Sequence, residues 1–274
     1  MAVLKIGSLN CQGQSKMTVS KQLWIQHLLR LYNFDILCCQ ETFLEDDTFS
    51  NCDFVMNNFT IIRNNAQNEY GTSCLIRNSL PLGDVRFDTE GRIIIFNIED
   101  FTFMNIYPKA GTDGESRRLR DNMFSNIVPN MMNQHKRNLI LLGDWNCITD
   151  RKDCTHYPEQ RMSLTLKRLL SLFSVKDDYR TLYPQSLQYS RYYTKQSSVE
   201  GGSRLDRIYS SHNVSIPSVK YINVSMSDHM LLEATLELSI NFEKLKMPKP
   251  KIPFKMRQEI IDDLDFQNEI KEKN

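Results

Sequence analysis

Leu139-Ile140-Leu141-Leu142-Gly143-Asp144-Trp145-Asn146 is the stretch on which the reading of this chain turns. Four aliphatic residues in a row, stopped by glycine and a carboxylate, read as a buried β-strand that hands polar groups to the end of a sheet. Three other stretches repeat the plan. Val3 to Leu9 ends on Asn10, Asp35 to Cys39 ends on Gln40-Glu41, and Ser227-Asp228-His229 leads into the apolar Met230-Leu231-Leu232. One such strand carries little. Four that leave Asn10, Glu41, Asp144, Asn146, Asp228 and His229 at strand ends predict a single polar site at one rim.

Between these strands, helical and extended patterns alternate irregularly. Residues 20–31 carry Leu23, Trp24, His27, Leu28 and Leu31 on one helical face, with Thr18 or Ser20 as N-cap. Residues 59–63, 73–77, 92–98 and 101–107 are β-branched or aromatic runs separated by turn formers, which predicts a meander of strands. Residues 115–132 read as a helix with Leu119, Met123, Ile127 and Met131 at a helical interval and Pro129 as a break near its end. A charged loop over 150–161 precedes a helix over 162–173, with Leu166, Leu169, Leu170 and Phe173 inward. Strands follow at 189–194, 204–209, 219–224 and 230–240. Hairpins mixed with helices favour an α/β fold of two sheets packed together and flanked by helices over a uniformly parallel sheet.

The chain has 274 residues, 41% of them apolar, and a net charge of +1. No composition break appears before about residue 240, so residues 1–240 read as one domain. From 241 the chain turns to Lys and Pro, which reads as a linker, and 256–274 spaces Ile260, Ile261, Leu264, Phe266 and Ile270 as a weak helix that begins a C-terminal extension. The near-neutral balance means that any nucleic-acid surface must be local. The seven cysteines form no CxxC pair, and several lie in apolar strands, which suits a reducing compartment. Cys147, Cys154 and His156 lack a fourth zinc ligand and read as ordinary core and loop residues. The N-terminus has no signal-peptide run and no stretch is long enough to span a bilayer, so the expectation is a soluble, intracellular protein with no membrane partner.

The predicted rim has the residue types of a hard-cation site. Carboxylates hold Mg²⁺ through oxygen and leave it waters and substrate phosphates as further ligands. Glu41, at the end of a buried strand beside the neutral Asn10, is the first candidate ligand; alone it would read as a strand-end carboxylate bonded to a loop. Asp144 and Asn146 are candidates to activate and orient a water. His229 offers an imidazole to phosphate oxygens, and Asp206 offers a carboxylate to fix that imidazole's tautomer and charge.

Leu9-Asn10, Gln40-Glu41-Thr42, Ile106-Tyr107, Gly143-Asp144-Trp145-Asn146, Ser203-Arg204-Leu205-Asp206 and Ser227-Asp228-His229 occur in the order found in the exonuclease–endonuclease–phosphatase superfamily. The chain resembles that family over residues 9 to 229. Within it, Gln40-Glu41-Thr42-Phe43-Leu44, Asp144-Trp145-Asn146-Cys147 with Asp150-Arg151, and the tail after the Lys/Pro linker look like the apurinic-type endonuclease domains of non-LTR (LINE-type) retrotransposons. The resemblance implies a four-layered α/β sandwich and an Mg²⁺-dependent endonuclease, with Mn²⁺ as a substitute. It implies Glu41 as principal metal ligand with Asn10 and Asp228 near the metal, and Asp144, assisted by Asn146, directing the attacking water. Tyr107 and His229 would contact the scissile phosphate, Asp206 would support His229, and Ser190, standing where Thr is usual, would contact the DNA. The implied product is a nick in double-stranded DNA with a 3′-hydroxyl that primes reverse transcription in the nucleus. A reverse transcriptase domain would follow in the same natural polypeptide. Two departures stand out: Tyr107-Pro108-Lys109-Ala110-Gly111 lacks the family's common Asn, for which Lys109 is a candidate substitute, and Trp145 stands where Phe is frequent and reads as core packing.

Local basic clusters supply the DNA-binding candidates. Arg117, Arg118 and Arg120 begin one helix, Arg151 and Lys152 follow the Asp144 strand, and Arg191, Lys195, Arg204 and Arg207 flank the loop 196–203. Such residues neutralise backbone phosphates without reading sequence. Residues 192–202 read as a hairpin, at which Tyr193, Lys195 and Gln196 are expected to influence target choice. The rival readings are an abasic-site repair endonuclease, a phosphatase or phosphodiesterase of the same superfamily, and a catalytically dead DNA-binding module.

Overall fold

The computed structural model describes residues 2–13, 17–65, 71–132, 138–156, 158–195 and 198–238. The expected linker and C-terminal extension lie outside these residues. In chain order the strands are Ala2–Asn10 (β1), Ile36–Gln40 (β2), Phe59–Asn65 (β3), Gly71–Arg77 (β4), Leu82–Phe87 (β5), Ile93–Ile98 (β6), Phe101–Ile106 (β7), Leu139–Asp144 (β8), Val175–Asp177 (β9), Arg191–Lys195 (β10), Ser198–Ser203 (β11), Asp206–Ser211 (β12), Ser215–Ile222 (β13) and Leu231–Leu238 (β14). The helices that matter below are Val19–Tyr32 (α1), Gly114–Asn122 (α2), Val128–Met132 (α3), Leu164–Leu172 (α4) and Asp178–Leu182 (α5).

Two six-stranded sheets, β13-β14-β1-β2-β4-β3 and β5-β6-β7-β8-β12-β9, share one plan. Each is built around a single parallel pair, β1/β2 in one and β7/β8 in the other, with antiparallel neighbours on both sides. β1 therefore corresponds to β8, β2 to β7, and β14 to β12.

The strands read as unbroken apolar runs because both of their faces are covered. Ile36, Cys38, Ile140, Leu142, Phe103 and Leu236 fill the core between the sheets. Leu37, Cys39 and Leu75 face α1 with Leu23, Leu28 and Leu29. Leu139, Leu141 and Met104 face the opposite helical layer with Phe124, Val128 and Leu166. Helix, sheet, sheet, helix is the expected four-layered α/β sandwich, and among the described residues no helix is long and apolar enough to cross a membrane.

Three local expectations need correction. Thr18 caps α1 by accepting from Lys21 N, as read, but the buried face is Gln22, Leu23, Ile25, Gln26, Leu28 and Leu29, and Leu31 is exposed. The helix has turned toward the segment after β2, where Gln22 Oε1 accepts from Phe49 N at 2.9 Å and Gln26 Oε1 from Phe54 N at 3.2 Å. Pro129 does not end its helix. A π-helical turn at Met123–Ile127, in which Val128 N reaches Met123 O, reorganises the hydrogen bonds before the proline, and α3 continues through it. β5 and β9, short and only half-buried, had no visible pattern.

Candidate active site

The inner rows of both sheets are apolar along most of their length and turn polar at one end. On the rows of Ile36-Cys38 and Ile140-Leu142 the next inward residues are Gln40 and Asp144; on β7 the row Phe101-Phe103 continues into Asn105 and Tyr107. The chemistry occupies the end of the core itself.

Corresponding strands of the two sheets meet there in pairs. From β1 and β8, Asn10 Nδ2 donates to Asp144 Oδ2 at 3.0 Å. At the ends of β2 and β7, Tyr107 OH donates to Glu41 Oε1 at 2.6 Å. At the starts of β14 and β12, His229 Nδ1 lies 2.8 Å from Asp206 Oδ2. Asn10 Nδ2 also donates to Glu41 Oε1 at 3.0 Å, joining the first two pairs. His229 Nε2, 4.0 Å from Asp144 Oδ2 and 3.8 Å from Asp228 Oδ1, brings in the third.

The backbone is strained where these groups are delivered. Gln12, Glu41, Asn146 and Met226, none of them glycine, adopt positive φ of 53°, 52°, 51° and 62° just beyond or before the strands of the site. Such angles cost of order 1 kcal/mol or more and persist only where the surroundings enforce them. Gly143, at φ 146°, is required outright: a Cβ there would stand 2.1 Å from Ile106 O on the parallel neighbour. That close approach of β7 and β8 sets Tyr107 and Asp144 side by side.

Burial and charge fix the protonation states. Burial would pull the His229 imidazole down, but the carboxylates of Asp206 and Asp144 outweigh it and raise its pKa to about 9. Burial, and then the like charge of Asp206, raise Asp144 to about 6. Burial and the Glu41 charge push the Tyr107 phenol far above its ordinary range, so it stays a donor. At neutral pH the site holds an imidazolium between two carboxylates.

Asp144, Asp206 and His229 form a group whose ligand atoms lie within 4.8 Å of one another. Two of its atoms, His229 Nδ1 and Asp206 Oδ2, are committed to each other at 2.8 Å, so this group does not by itself suit a cation. The Glu41 side does: Glu41 is half-buried, its Oε1 is held by two neutral donors, and its neighbours are Asn10 and Asp144. That donor set is hard oxygen, which fits Mg²⁺ or Mn²⁺.

The other predicted residues fall into three sets. Asn146 N bonds Asp144 Oδ1 at 3.0 Å while its Nδ2 donates 2.9 Å to Pro108 O, so its amide braces the loop after Tyr107. Arg118 is exposed, Lys109 half-buried, and Arg151 exposed with a partner in Glu159 at 2.8 Å. Arg191 is paired with Asp228, and Tyr193 OH is bonded to Ser203 Oγ beneath Arg161. The side chain of Lys195 and the whole of Gln196 lie outside the described residues.

Ser190 and Arg204 cannot be the DNA contacts that the sequence predicted. Ser190 is fully buried, and its Oγ accepts from Leu205 N at 2.9 Å and Asp206 N at 3.0 Å. Arg204 is 1% exposed, bonded through Nε and Nη2 to Asp153 and through Nη1 and Nη2 to Asp177. Arg120, which donates to Lys109 O and Gly111 O, and Arg207, bonded to Tyr209 OH and Cys147 O, are buried too. Their guanidinium groups satisfy interior carboxylates and carbonyls that water cannot reach. Trp145, with Phe124 and Tyr209 against its ring, is core as expected.

Sequence reading missed Asn105. Its Nδ2 donates to Cys39 O and Ser73 O, and its Oδ1 accepts from Gln40 Nε2 at 2.7 Å, tying the two sheets together beneath Glu41. The signal was present: one amide in an otherwise apolar stretch of strand. Arg92, which donates to Tyr107 O at 3.2 Å and lies over the Tyr107 ring, had no such signal.

Comparison with known proteins agrees with this geometry. The endonuclease/exonuclease/phosphatase family matches residues 7–229. Among solved structures, an AP endonuclease from Archaeoglobus fulgidus has a TM-score of 0.72 at 20% identity, over 86% of this chain and 100% of that one. The 3′-5′ exonuclease NExo from Neisseria meningitidis has a TM-score of 0.70 at 21% identity with the same coverage. A variant of the Neisseria 3′ phosphatase NExo bound to a product DNA hairpin has a TM-score of 0.71 at 21% identity, again over 86% and 100%. At these identities the likeness speaks for the fold.

Proposed function

The chain belongs to the endonuclease/exonuclease/phosphatase family, and from that premise we propose that it is a divalent-metal-dependent endonuclease that nicks double-stranded DNA. The observation that carries this reading is the set of cross-sheet pairs at one rim, Asn10–Asp144, Glu41–Tyr107 and His229–Asp206, which gathers a hard-oxygen site, a carboxylate near neutral pKa and an imidazolium in one place.

Glu41, with Asn10 beside it, would hold Mg²⁺ or Mn²⁺, which when bound neutralises phosphate charge. Asp144, with a pKa near 6, is ionised at neutral pH and takes the proton of the attacking water. The water oxygen bonds to phosphorus as the bond to the 3′-oxygen breaks, and that oxygen leaves as an alkoxide that takes a proton from solvent to give the 3′-hydroxyl opposite a 5′-phosphate. His229 donates to the phosphate oxygens as their charge grows, Tyr107 does so once its hydroxyl exchanges Glu41 for the phosphate, and Asp206 keeps the imidazole protonated and oriented. Asn146 keeps the Pro108 loop in place beside Tyr107.

The finer reading is that the chain is the nicking domain of a LINE-type retrotransposon protein, acts in the nucleus, and leaves a 3′-hydroxyl for a reverse transcriptase in the same polypeptide. The order of the motifs from Asn10 to His229 and the Lys/Pro-rich sequence after residue 240 support it. The likeness to an AP endonuclease favours one second reading, abasic-site repair.

Nicking of supercoiled plasmid with Mg²⁺, by wild type beside Glu41→Ala and His229→Ala, tests the proposal. Metal-dependent nicks lost in both variants are expected, and equal nicking by wild type and variants would overturn it. An abasic duplex cut far in excess of intact DNA would move the reading to repair, whereas clustered nick positions on intact DNA would support a chosen target.

A further inference from the structure

Asp228 is expected, from motif order, to stand near the metal, yet its surroundings are those of a different task. Arg191 Nε donates to its Oδ2 at 2.8 Å, and Nη2 lies 2.7 Å from the same oxygen as an ion pair. The two backbones are fixed to each other as well, by a β-bridge between Arg191 and His229 and by Met230 N donating to Ser190 O at 2.7 Å. Resting on the nuclease reading above, we infer that Asp228 serves Arg191 rather than a cation. It holds one edge of the guanidinium so that the other edge receives a backbone phosphate of the DNA beside His229.

Three observations support this. A carboxylate oxygen within 2.8 Å of two guanidinium nitrogens has its charge neutralised, whereas among the described residues Glu41 Oε1 is bonded by the neutral Asn10 amide and Tyr107 hydroxyl and keeps its charge for a cation. Among the described residues no side-chain bond of Arg191 uses Nη1, and the side chains of Arg191 and Asp228 are 36% and 33% exposed. A planar guanidinium with one edge fixed is preorganised for bidentate contact with a phosphate. Finally, Asp228 Oδ1 is 3.8 Å from His229 Nε2, which sets the Asp228–Arg191 pair beside the imidazolium. Arg191 is thereby a DNA-contacting residue and Asp228 its positioning residue.

Two measurements made without cleavage test the inference, after circular dichroism has confirmed that each variant is folded. Mn²⁺ binding to the DNA-free protein, followed by electron paramagnetic resonance, should weaken at least tenfold in Glu41→Gln and stay within about twofold of wild type in Asp228→Asn. Duplex binding across a salt series should lose about 0.9 from the slope of log K against log salt in Arg191→Gln, the effect of one phosphate contact. Arg191→Lys, which keeps the charge without the fork, should retain the slope at lower affinity, and the double variant Arg191→Gln/Asp228→Asn should bind no more weakly than Arg191→Gln. Mn²⁺ affinity falling in Asp228→Asn as it does in Glu41→Gln, or an unchanged slope in Arg191→Gln, overturns the inference. Failure of the nuclease reading is seen separately: duplex binding with the expected Arg191 slope by a protein that cuts nothing would leave the clamp standing and remove the hydrolase.

Discussion

Ser203-Arg204-Leu205-Asp206 feeds two buried charge clusters that are opposite in kind. Arg204 enters one in which both carboxylates are answered: Asp153 accepts from Arg204 and from Arg180 Nη2 at 2.5 Å, and Asp177 accepts from Arg204. Burial pushes the Asp153 carboxyl up, but the Arg204 guanidinium outweighs it and holds the group below the usual carboxylate range. Asp206, two residues on, enters the rim, where charge is left unbalanced. Among the described residues, Asp144, Asp206 and Asp228 pair with His229 and Arg191 alone, Glu41 has no cationic partner, and Asp206 Oδ1 is buried with no partner. Asp144 is pushed up to about 6, the reverse of Asp153. The closed cluster holds loops to a sheet, and the open one has the excess of negative charge that a divalent cation would complete.

The largest effect belongs to the open cluster. His229→Ala removes the donor to the developing phosphate charge and the partner of Asp206, and should lower kcat/KM for plasmid nicking by roughly 10³-fold or more. His229→Gln, which keeps a donor without the charge, should recover only part of it. Nicking within tenfold of wild type would show that the imidazolium is not part of the reaction.

The closed cluster should answer through stability. Arg204→Leu leaves Asp153 and Asp177 buried with one guanidinium fewer, and breaking such a pair from one side costs about 3–5 kcal/mol. Urea unfolding measures it directly. The salt slope of duplex binding should be unchanged in any Arg204 variant that folds; a shallower slope would mean that Arg204 reaches DNA after all.

Asp178 sharpens the comparison because it adjoins the closed cluster without sharing its cations. Ser210 Oγ donates to Oδ1 at 2.8 Å and Lys176 Nζ stands 3.8 Å away, while Oδ2 is buried without a partner among the described residues. Burial raises its pKa to about 7. A carboxylate raised in the folded state binds its proton more tightly there than in the unfolded chain, so its contribution is greatest below the unfolded value and is lost as pH climbs through about 7. Asp178→Asn escapes that loss. Its stability relative to wild type should rise by roughly 2 kcal/mol between pH 5 and pH 8, from the linkage of about 1.4 kcal/mol per pKa unit. Parallel pH curves for the two proteins would show that Asp178 stays ionised.

The layers of the fold were legible because two-sided burial leaves unbroken apolar runs, and the ends of those runs named Asn10, Glu41 and Asp144. Asp206 was read as the carboxylate partner of His229, and Tyr107 came from the order of motifs. What stayed hidden depends on facts that a linear pattern does not carry. Arg204 and Ser190 share their motifs with residues of the site, yet a basic side chain looks the same in sequence whether it faces solvent or an interior aspartate. The buried face of α1 was misplaced because Gln22 and Gln26, polar by type, are inside, bonded to backbone that only tertiary packing brings near. Nor did sequence show that the two sheets repeat one plan, the relation that puts each polar residue opposite its partner.

Ser190 stands between the two clusters and gives the finest test of how they are separated. Its hydroxyl accepts from the N–H groups of Leu205 and Asp206, the residues that follow Arg204 as the chain passes from the closed cluster to the open one. Ser190→Ala leaves two buried donors unanswered, a cost of about 1–3 kcal/mol in unfolding free energy. The same bonds fix where Asp206 begins β12, so the His229–Asp206 distance should loosen and nicking should fall roughly tenfold, about 1.4 kcal/mol, with duplex affinity unchanged. Ser190→Thr restores the hydroxyl and should restore both stability and rate, provided that the site accepts one further methyl. If Ser190→Ala weakened duplex binding while leaving kcat intact, the hydroxyl would belong to the DNA surface. If it lowered stability alone, Asp206 would be held by β12 without help, and the two clusters would be independent of the serine between them.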